Sequence, residues 1–169
     1  MSFQTRGIQF IGTGTSLFQA HPCPNQDAGT DWDYVTERHW KTGAQSPFRE
    51  PVARESVPRM LDHTQAYVER SAELGQNMFQ FSLELGRLSP SRRSFDANLM
   101  RRYMRRVAKL RGSGQEPMLT LHHFTMPMRL TVTNRDGDII AGGWEHPDAV
   151  QELRWITDQV CGFLADRGE

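Results

Sequence analysis

Three short apolar runs along the chain have the length and composition of β-strands, at residues 7–12, 77–83 and 117–124. Each run is followed by a segment in which apolar residues recur at helical spacing. Such an alternation favours a parallel sheet covered by helices. The pattern therefore predicts a single α/β domain over residues 1–169, with about three strand–helix units.

Helices are predicted at residues 62–74, at 96–111, and from near Pro147 towards the C-terminus. Asp62 can cap the first helix, and Gly75 can end it in a left-handed conformation. The second helix has a clear apolar stripe, formed by Leu99, Tyr103, Val107 and Leu110. The last helix carries further apolar residues, namely Val150, Leu153, Trp155, Ile156, Val160, Phe163 and Leu164.

Residues 13–61 lack clear periodicity and contain five prolines. Compact domains seldom carry so long a loop unless it has a function or is disordered. We expect it to run over one rim of the sheet, with a helical turn near residues 34–39.

Charge argues against two classes of partner. Lys and Arg (20) balance Asp and Glu (20), so neither nucleic-acid phosphates nor anionic lipids are favoured partners. The second helix carries a basic set that fits a solvated outer face better than an anion-binding patch: Arg101, Arg102, Arg105, Arg106, Lys109 and Arg111. No apolar run approaches the ~20 residues of a membrane span. Without a signal-peptide pattern at the N-terminus, we expect a cytoplasmic protein.

Cysteine and histidine positions indicate no metal site and no cofactor. Cys23 and Cys161 are expected to be reduced thiols, with Cys161 packed on a helix face. The adjacent His122 and His123 are a weak metal signal, but neighbouring side chains on a strand point to opposite faces. They should therefore not share one ion.

Four stretches, in order, resemble glycoside hydrolase family 1, the retaining β-glucosidase and β-galactosidase family built on a TIM barrel. Residues 12–19 (GTGTSLFQ) are similar to its G-x-A-T-S-x-Y-Q signature, and Trp32-Asp33 to its W-D pair. Residues 73–90 (ELGQNMFQFSLELGRLSP) follow its E-L-G-x-N-x-x-R-F-S-I-x-W-S-R-I-x-P run. Residues 116–124 (EPMLTLHHF) with Pro127, and then Gly142-Gly143-Trp144, match P-x-V-T-L-x-H-F-x-x-P and G-G-W.

The resemblance covers about the first third of that family's length. It implies strands one to three of the eight-stranded barrel, that is, a partial TIM (β/α)8 barrel. A complete barrel takes at least roughly 200 residues. We therefore expect that these residues cannot close a barrel by themselves.

The resemblance also implies which residues contact sugar. Gln19 and His123 stand where the family places two residues that contact the glycone, and Trp144 stands at its G-G-W position. Side chains at the C-terminal strand ends of a barrel meet at one rim, so we expect Gln19, Gln80 and His123 to converge. Each residue also has a purely structural interpretation. Gln19 would hydrogen-bond to polar groups of its own loop, His123 would be a buried hydrogen-bonded histidine, and Trp144 would be a packed aromatic residue.

The matched part departs from the family where catalysis is concerned. A retaining glycosidase needs two carboxylates roughly 5–5.5 Å apart, and the family contexts T-x-N-E-P and E-N-G are absent from the sequence. Glu84 is the nearest carboxylate to the expected rim, and we interpret it as an ordinary strand-end glutamate. Gln80 replaces the arginine that pairs with the nucleophile, and a neutral amide cannot hold a carboxylate ionised as a guanidinium does. Arg87 is kept, but three further positions also differ from the family pattern, namely His21, Pro22 and Leu85.

The resemblance implies O-glycosyl hydrolysis in carbohydrate metabolism, with a β-glycoside or sugar as ligand. Without the catalytic motifs, we expect the isolated chain to be inactive unless a second chain completes the barrel. The alternatives are a non-catalytic sugar-binding module and an interaction module that self-associates through open sheet edges.

Overall fold

A computed structural model describes residues 9–15, 30–32, 34–35, 38 and 64–166. Its main sheet has three parallel strands in the order β1-β2-β3, namely β1 (Gly12–Thr15), β2 (Met78–Ser82) and β3 (Glu116–Thr120). In this register Gly14 pairs with Gln80, and Gln80 pairs with Met118. The predicted set of three parallel strands is confirmed.

Four helices follow the strands: α1 (Thr64–Glu73), the single turn α2 (Leu85–Leu88), α3 (Ala97–Gly112) and α4 (Ala149–Ala165). Residues 31–32, 34–35 and 38 are also helical. A helical turn was predicted near residues 34–39, so the helical residues begin three positions earlier than predicted. Asp96 caps α3 by accepting a hydrogen bond from the Leu99 N–H at 2.9 Å. Gly75 ends α1 with φ +72°, as the sequence predicted, whereas Asp62 lies outside the described residues.

The hydrophobic core lies between the sheet and its helices. Phe79 and Phe81 of β2 point into it and meet Tyr103 of α3 and Ile156 of α4. Phe81, Tyr103 and Ile156 are all fully buried. Burial of a side chain of this size stabilises the fold by about 1.5–3 kcal/mol, so the face of β2 that carries the phenylalanines holds the helices.

The opposite face of the sheet carries Gln80, Met118 and Thr120. Met118 is 52% exposed there, which shows that this face is open to solvent. Within the described part of the chain, β1 and β3 pair only with β2, so both outer edges of the sheet are open as well. The three strands form an arc and not a closed barrel.

The outer edge of β3 lacks one hydrogen-bond donor. The Glu116 N–H donates to the Asn77 carbonyl, towards β2, at 2.8 Å. Since N–H groups alternate in direction along a strand, the nitrogen of the next residue, Pro117, faces the outer edge. Proline has no N–H to offer there.

A two-stranded hairpin interrupts the predicted strict order of strand and helix. Strands β4 (Thr131–Thr133) and β5 (Ile139–Gly142) are antiparallel, and short 3-10 turns at Met128–Leu130 and Gly143–Glu145 flank them. Asp136-Gly137 lies in the connecting turn, where Gly137 has φ +82°. An Asp-Gly pair in a short polar turn between two segments that contain apolar residues is a hairpin signal, so the sequence did contain this element.

The first strand lies later than predicted. The apolar run at 7–12 suggested the strand, but β1 is formed by Gly12–Thr15, and Phe10 and Ile11 are 50% and 46% exposed. A Cβ atom on Gly12 would overlap the Met78 carbonyl, so close backbone approach, and not hydrophobicity, selects the strand. The predicted loop 13–61 therefore begins inside β1, and most of the rest of it lies outside the described residues.

Strand β3 ends at Thr120, four residues before the predicted end. His122 and His123 consequently lie in an irregular loop, and the argument from strand alternation does not apply to them. Phe124 makes strand geometry impossible at this point, because its φ of +53° is in the left-handed region.

Two predicted side-chain environments were wrong. Cys161 is exposed, because it follows the buried Val160 and one residue of helix turns by about 100°. Arg106 is 3% exposed and lies over the Phe81 ring at 5.3 Å, so it does not belong to the solvated face of α3. No helix in the described ranges is both long and apolar enough to span a bilayer.

Candidate functional site

The loops that follow β2 and β3 meet at the C-terminal edge of the sheet. The Leu83 N–H donates to the Thr120 carbonyl at 2.9 Å, so Glu84 and the loop after Thr120 begin side by side. Parallel strands in this arrangement present their following loops on one rim. This rim is where the sequence placed the candidate site.

Glu84 is fully buried at the rim. The Thr125 hydroxyl donates to its Oε2 at 2.7 Å, and the Ser82 hydroxyl lies 3.5 Å from its Oε1. The Glu84 N–H lies 3.3 Å from the Tyr103 hydroxyl oxygen. Burial raises the pKa of Tyr103 above its usual value, and the Glu84 carboxylate raises it further. Glu84 is therefore an internal anchor for the loop after β3, and not the ordinary strand-end glutamate that was expected.

The helical residues near 30–38 hold the same loop from the other side. Asp31 accepts a hydrogen bond from the Met126 N–H at 2.8 Å, and its own N–H donates to the Met126 carbonyl at 2.9 Å. The Trp32 ring meets the Phe124 ring edge to face at 5.3 Å. These contacts explain how Phe124 keeps a left-handed backbone that costs of order 1–3 kcal/mol.

The hairpin turn is tied to the same segment. The Tyr34 hydroxyl donates to the Gly137 carbonyl at 2.9 Å, and Arg38 pairs with Asp138. The pair lowers the pKa of the Asp138 carboxyl and raises that of Arg38, in both cases mainly through their hydrogen bond. A cavity of about 230 Å³ remains between segment and hairpin, lined by Asp31, Trp32, Val35 and Ile139.

His123 lies at one end of a row of edge-to-face ring contacts whose central ring is Phe124. Its ring meets Phe124 edge to face at 5.2 Å, and Phe124 in turn contacts Trp32. The Nδ1 atom of His123 is buried and has no hydrogen-bond partner within the described ranges. The ring is thus positioned by packing, so the predicted interpretation as a hydrogen-bonded buried histidine does not hold for Nδ1.

His122 contacts a different set of side chains. Its Nε2 lies 3.2 Å from the Met126 sulfur, and its ring meets Trp144 at 5.0 Å. Burial lowers the pKa of His122 below its usual value, and the neighbouring His123 lowers it further. Trp144 itself is 59% exposed, so more than half of its surface is open to solvent beside His122.

Gln80 points to the open face of the sheet. Its amide nitrogen donates to the Thr120 hydroxyl, and its amide oxygen lies over the Cα of Gly14. A neutral amide therefore occupies this place, where the resemblance leads one to expect a guanidinium. Gln19, the third residue expected to converge on the rim, lies outside the described residues.

A buried ion pair holds the rim to the last helix. Arg129 contacts Glu152 of α4 at 2.7 Å, and its guanidinium also donates to the Ser89 carbonyl and hydroxyl. Glu152 is 2% exposed. The loop after α2, the 3-10 turn and α4 are thereby joined at one point.

Sequence reasoning missed Asp31, Phe124 and Thr125, which position the loop around His123. The available signal was their location, since Asp31 precedes the matched Trp32-Asp33 pair and the other two directly follow His123 in its motif. In the described part of the chain, no group of three or more His, Cys, Asp or Glu side chains is arranged to hold a metal ion.

Comparison with known proteins gives one consistent family. The family model described as glycosyl hydrolase family 1 matches residues 9–167. Beta-glucosidase 8 of Arabidopsis thaliana is 26% identical over 152 residues, which are 89% of this chain and 27% of the relative. The solved apo structure of a beta-glucosidase (1317) matches with a TM-score of 0.71 and 23% identity, over 93% of this chain and 35% of that one.

A further solved match is the family 1 beta-glucosidase of the fungus Humicola insolens in complex with glucose. It gives a TM-score of 0.54 at 23% identity, over 70% of this chain and 25% of that chain. The chain thus spans about a quarter to a third of the length of the proteins it matches.

Proposed function

The chain belongs to glycosyl hydrolase family 1, and from this membership we propose that it forms the sugar-binding part of a β-glycosidase site whose catalytic carboxylates come from other polypeptide. The matched β-glucosidases confirm the predicted partial TIM barrel. The three described strands form an arc of such a barrel. The proposal assigns glycone contact to Gln19 and His123, and contact with the rim-bound ligand to Trp144.

The burial of Glu84 is the main observation behind the proposal that the isolated chain has no hydrolase activity. Glycoside hydrolysis with retention needs a nucleophile and an acid/base, both open to the substrate. Glu84 is 0% exposed, and its carboxylate is engaged by Thr125. It therefore cannot serve as either group, and neither family motif for the catalytic pair occurs in the 169 residues.

His123 and Trp144 support the sugar-binding part. Sugar recognition uses aromatic faces and polar groups held without freedom to turn away. The ring of His123 is held by Phe124, and Trp144 keeps more than half of its surface exposed. A glucose complex is known for the Humicola insolens relative, which makes a glucose-like ring a reasonable first ligand.

The open edges and the open face of the sheet support a completing chain. A chain that pairs with the outer edge of β3 and closes over the open face would cover Met118, which is 52% exposed. Exposed parallel edges are otherwise sites of uncontrolled association. Self-association through these edges is the competing outcome in the same experiment.

The test measures aryl β-glucoside turnover by the full chain alone and after mixing with the remaining strands of a related β-glucosidase, which carry both glutamates. We expect none from the chain alone and measurable turnover from the mixture. His123→Ala should abolish that turnover, whereas His146→Ala, outside the proposed site, should not. Turnover by the chain alone that Glu84→Gln removes would overturn the proposal.

Gln80 gives the same assay a second arm. Its amide cannot stabilise a neighbouring ionised carboxylate as a guanidinium does. In the mixture, Gln80→Arg should therefore raise turnover, and Gln80→Lys should raise it less. An equal or lower rate for Gln80→Arg would show that the amide does not limit the completed site.

A further inference from the structure

We propose that Arg38 is a positioning residue of the candidate site, which holds the ring of His123 in place without touching it. Arg38 and Tyr34 bind the turn of the hairpin, and we call these contacts the clasp. The effect of the clasp on sugar turnover rests on the proposed function, whereas the positioning is a property of this chain alone.

The first attachment of the helical residues 31–38 is at Asp31. Its N–H donates to the Met126 carbonyl at 2.9 Å, and its carboxylate accepts a hydrogen bond from the Met126 N–H at 2.8 Å. The preceding Thr30 forms an isolated antiparallel bridge with Pro127. These bonds fix where the helical residues begin, but a second attachment is needed to fix their direction.

The clasp is that second attachment. The Tyr34 hydroxyl donates to the Gly137 carbonyl at 2.9 Å. The Arg38 guanidinium pairs with the Asp138 carboxylate and also donates to the Asp136 carbonyl at 2.6 Å. A guanidinium presents its N–H groups in a fixed fork, so two neighbouring acceptors set its direction as well as its distance.

The acceptors of the clasp are held by the hairpin turn itself. The Asp138 N–H donates to the Asn134 amide oxygen at 2.8 Å, and the Asn134 amide nitrogen donates to the Asp138 Oδ2 at 3.2 Å. A Cβ atom on Gly137 would lie 2.9 Å from the Tyr34 hydroxyl oxygen, so glycine leaves the space that this hydroxyl uses. The turn therefore offers Arg38 and Tyr34 a fixed set of acceptors.

Packing does not replace the clasp, because a cavity of about 230 Å³ lies between the helical residues and the hairpin. The cavity is lined by Asp31, Trp32, Val35 and Ile139. Side chains that line a void lose contacts on that side, so Trp32 can move into this space once the clasp is open. The Trp32 ring contacts Phe124 at 5.3 Å, and Phe124 contacts His123 at 5.2 Å. Movement of Trp32 would therefore release the row of rings that ends at His123.

The first test compares the ring NMR signals of the full chain with those of Arg38→Met and Tyr34→Phe. We expect both variants to shift the ring signals of Trp32 and His123. Both should also weaken the nuclear Overhauser contact between Trp32 and Phe124, because the two rings separate when the clasp opens.

Arg70→Met is the matched control. Arg70 is an exposed arginine that pairs with one carboxylate on α1, that of Glu73, at 3.9 Å, so its loss should leave the ring signals unchanged. Asp138→Asn should shift the same signals as Arg38→Met. The double variant of these two should shift them no further than either single change, because both remove one interaction.

The second test measures aryl β-glucoside turnover by the chain mixed with the remaining strands of a related β-glucosidase. A misplacement of about 1 Å can lower a rate about 10²-fold, so we expect Arg38→Met to lower kcat/KM at least about tenfold. Arg38→Lys keeps the charge but not the fork, so it should restore only part of the loss. The urea midpoint should change as little as in Arg70→Met, because exposed ion pairs contribute little to stability.

Unchanged Trp32 and His123 signals in both Arg38→Met and Tyr34→Phe would overturn the inference, as would equal shifts in Arg70→Met. Tyr34→Phe removes a single hydroxyl group, so it still answers the question if Arg38→Met fails to fold. The NMR test needs no turnover. A mixture without activity therefore refutes the proposed function and not the positioning.

Discussion

Thr125 donates a hydrogen bond of 2.7 Å to the fully buried carboxylate of Glu84, across 41 residues of sequence. This bond joins the end of β2 to the loop that carries His122 and His123. Phe124, directly before Thr125, has the left-handed backbone. The bond therefore bears directly on the shape of the candidate site.

Thr125→Val keeps the shape of the side chain and removes this donor. Hydrogen bonds to charged groups contribute about 1.5–3 kcal/mol, so we expect the free energy of unfolding to fall by about 2 kcal/mol. Urea denaturation measures the change. Thr133→Val, at an exposed position of β4, is the control and should be nearly neutral. Equal effects of the two variants would show that Glu84 does not depend on Thr125.

Two glycines of β1 should respond differently to alanine. A Cβ atom on Gly12 would overlap the backbone of Met78, whereas on Gly14 it would meet the amide end of Gln80. A side chain can move and a paired backbone cannot. Overpacking typically lowers the free energy of unfolding by ~1–3 kcal/mol, and we expect a loss near the top of this range for Gly12→Ala and near the bottom for Gly14→Ala. Thermal and urea unfolding test the order.

A double-mutant cycle sharpens that prediction. In a Gln80→Ala background the obstruction over Gly14 is gone, so Gly14→Ala should lose most of its cost. The cost of Gly12→Ala should be unchanged there. If both costs fall together, Gln80 acts on β1 as a whole and not on Gly14.

Breaking the Arg129–Glu152 pair should be among the most destabilising single changes. Arg129→Met leaves Glu152, 2% exposed, with only the more distant Arg92, whose Nε lies 3.5 Å from its Oε1. Removal of one partner from a buried pair typically costs about 3–5 kcal/mol, and the remaining Arg92 should keep the cost near the lower end. The double variant Arg129→Met with Glu152→Leu should cost less than Arg129→Met alone. Arg154→Met, at an exposed position of α4, is the matched control in the same urea denaturation series.

His122 should make stability depend on pH. Its pKa in the folded chain is held below the ordinary value of 6.5, so the unfolded chain takes up the proton first. Its contribution to stability is therefore present above about pH 6.5 and is lost as pH falls towards its folded-state pKa. His122→Phe should reduce the loss of stability between pH 7 and pH 5, measured by urea denaturation. An NMR titration with a ring pKa above 6.5 would contradict this reasoning.

Periodicity was sufficient to predict the elements that build the core. Alternation in Met78–Ser82 and the stripe through Leu99, Tyr103 and Val107 place the correct faces inward, and Asp96 marks the start of α3. Strand β1 could not be found this way, because its residues are selected by how closely two backbones approach.

Motif matching found the location of the site but not its construction. It placed His123 at the rim after β3, where the structure has it. The burial of Glu84 and the contact of Trp32 with Phe124 depend on segments far apart in sequence. Arg106 shows the same limit, since its position over Phe81 depends on the tertiary packing of α3 against β2 and not on charge pattern alone.

Pro117 has a consequence for how the arc behaves at high concentration. Because its nitrogen faces outward without a proton, an incoming strand finds no donor on β3 before Leu119, and Glu116 adds a negative charge at that end. Stacking of identical arcs in a continuous ladder would lose a hydrogen bond at every junction. This edge is therefore a poor template for fibre growth, although it can still accept one strand whose register begins beyond the proline.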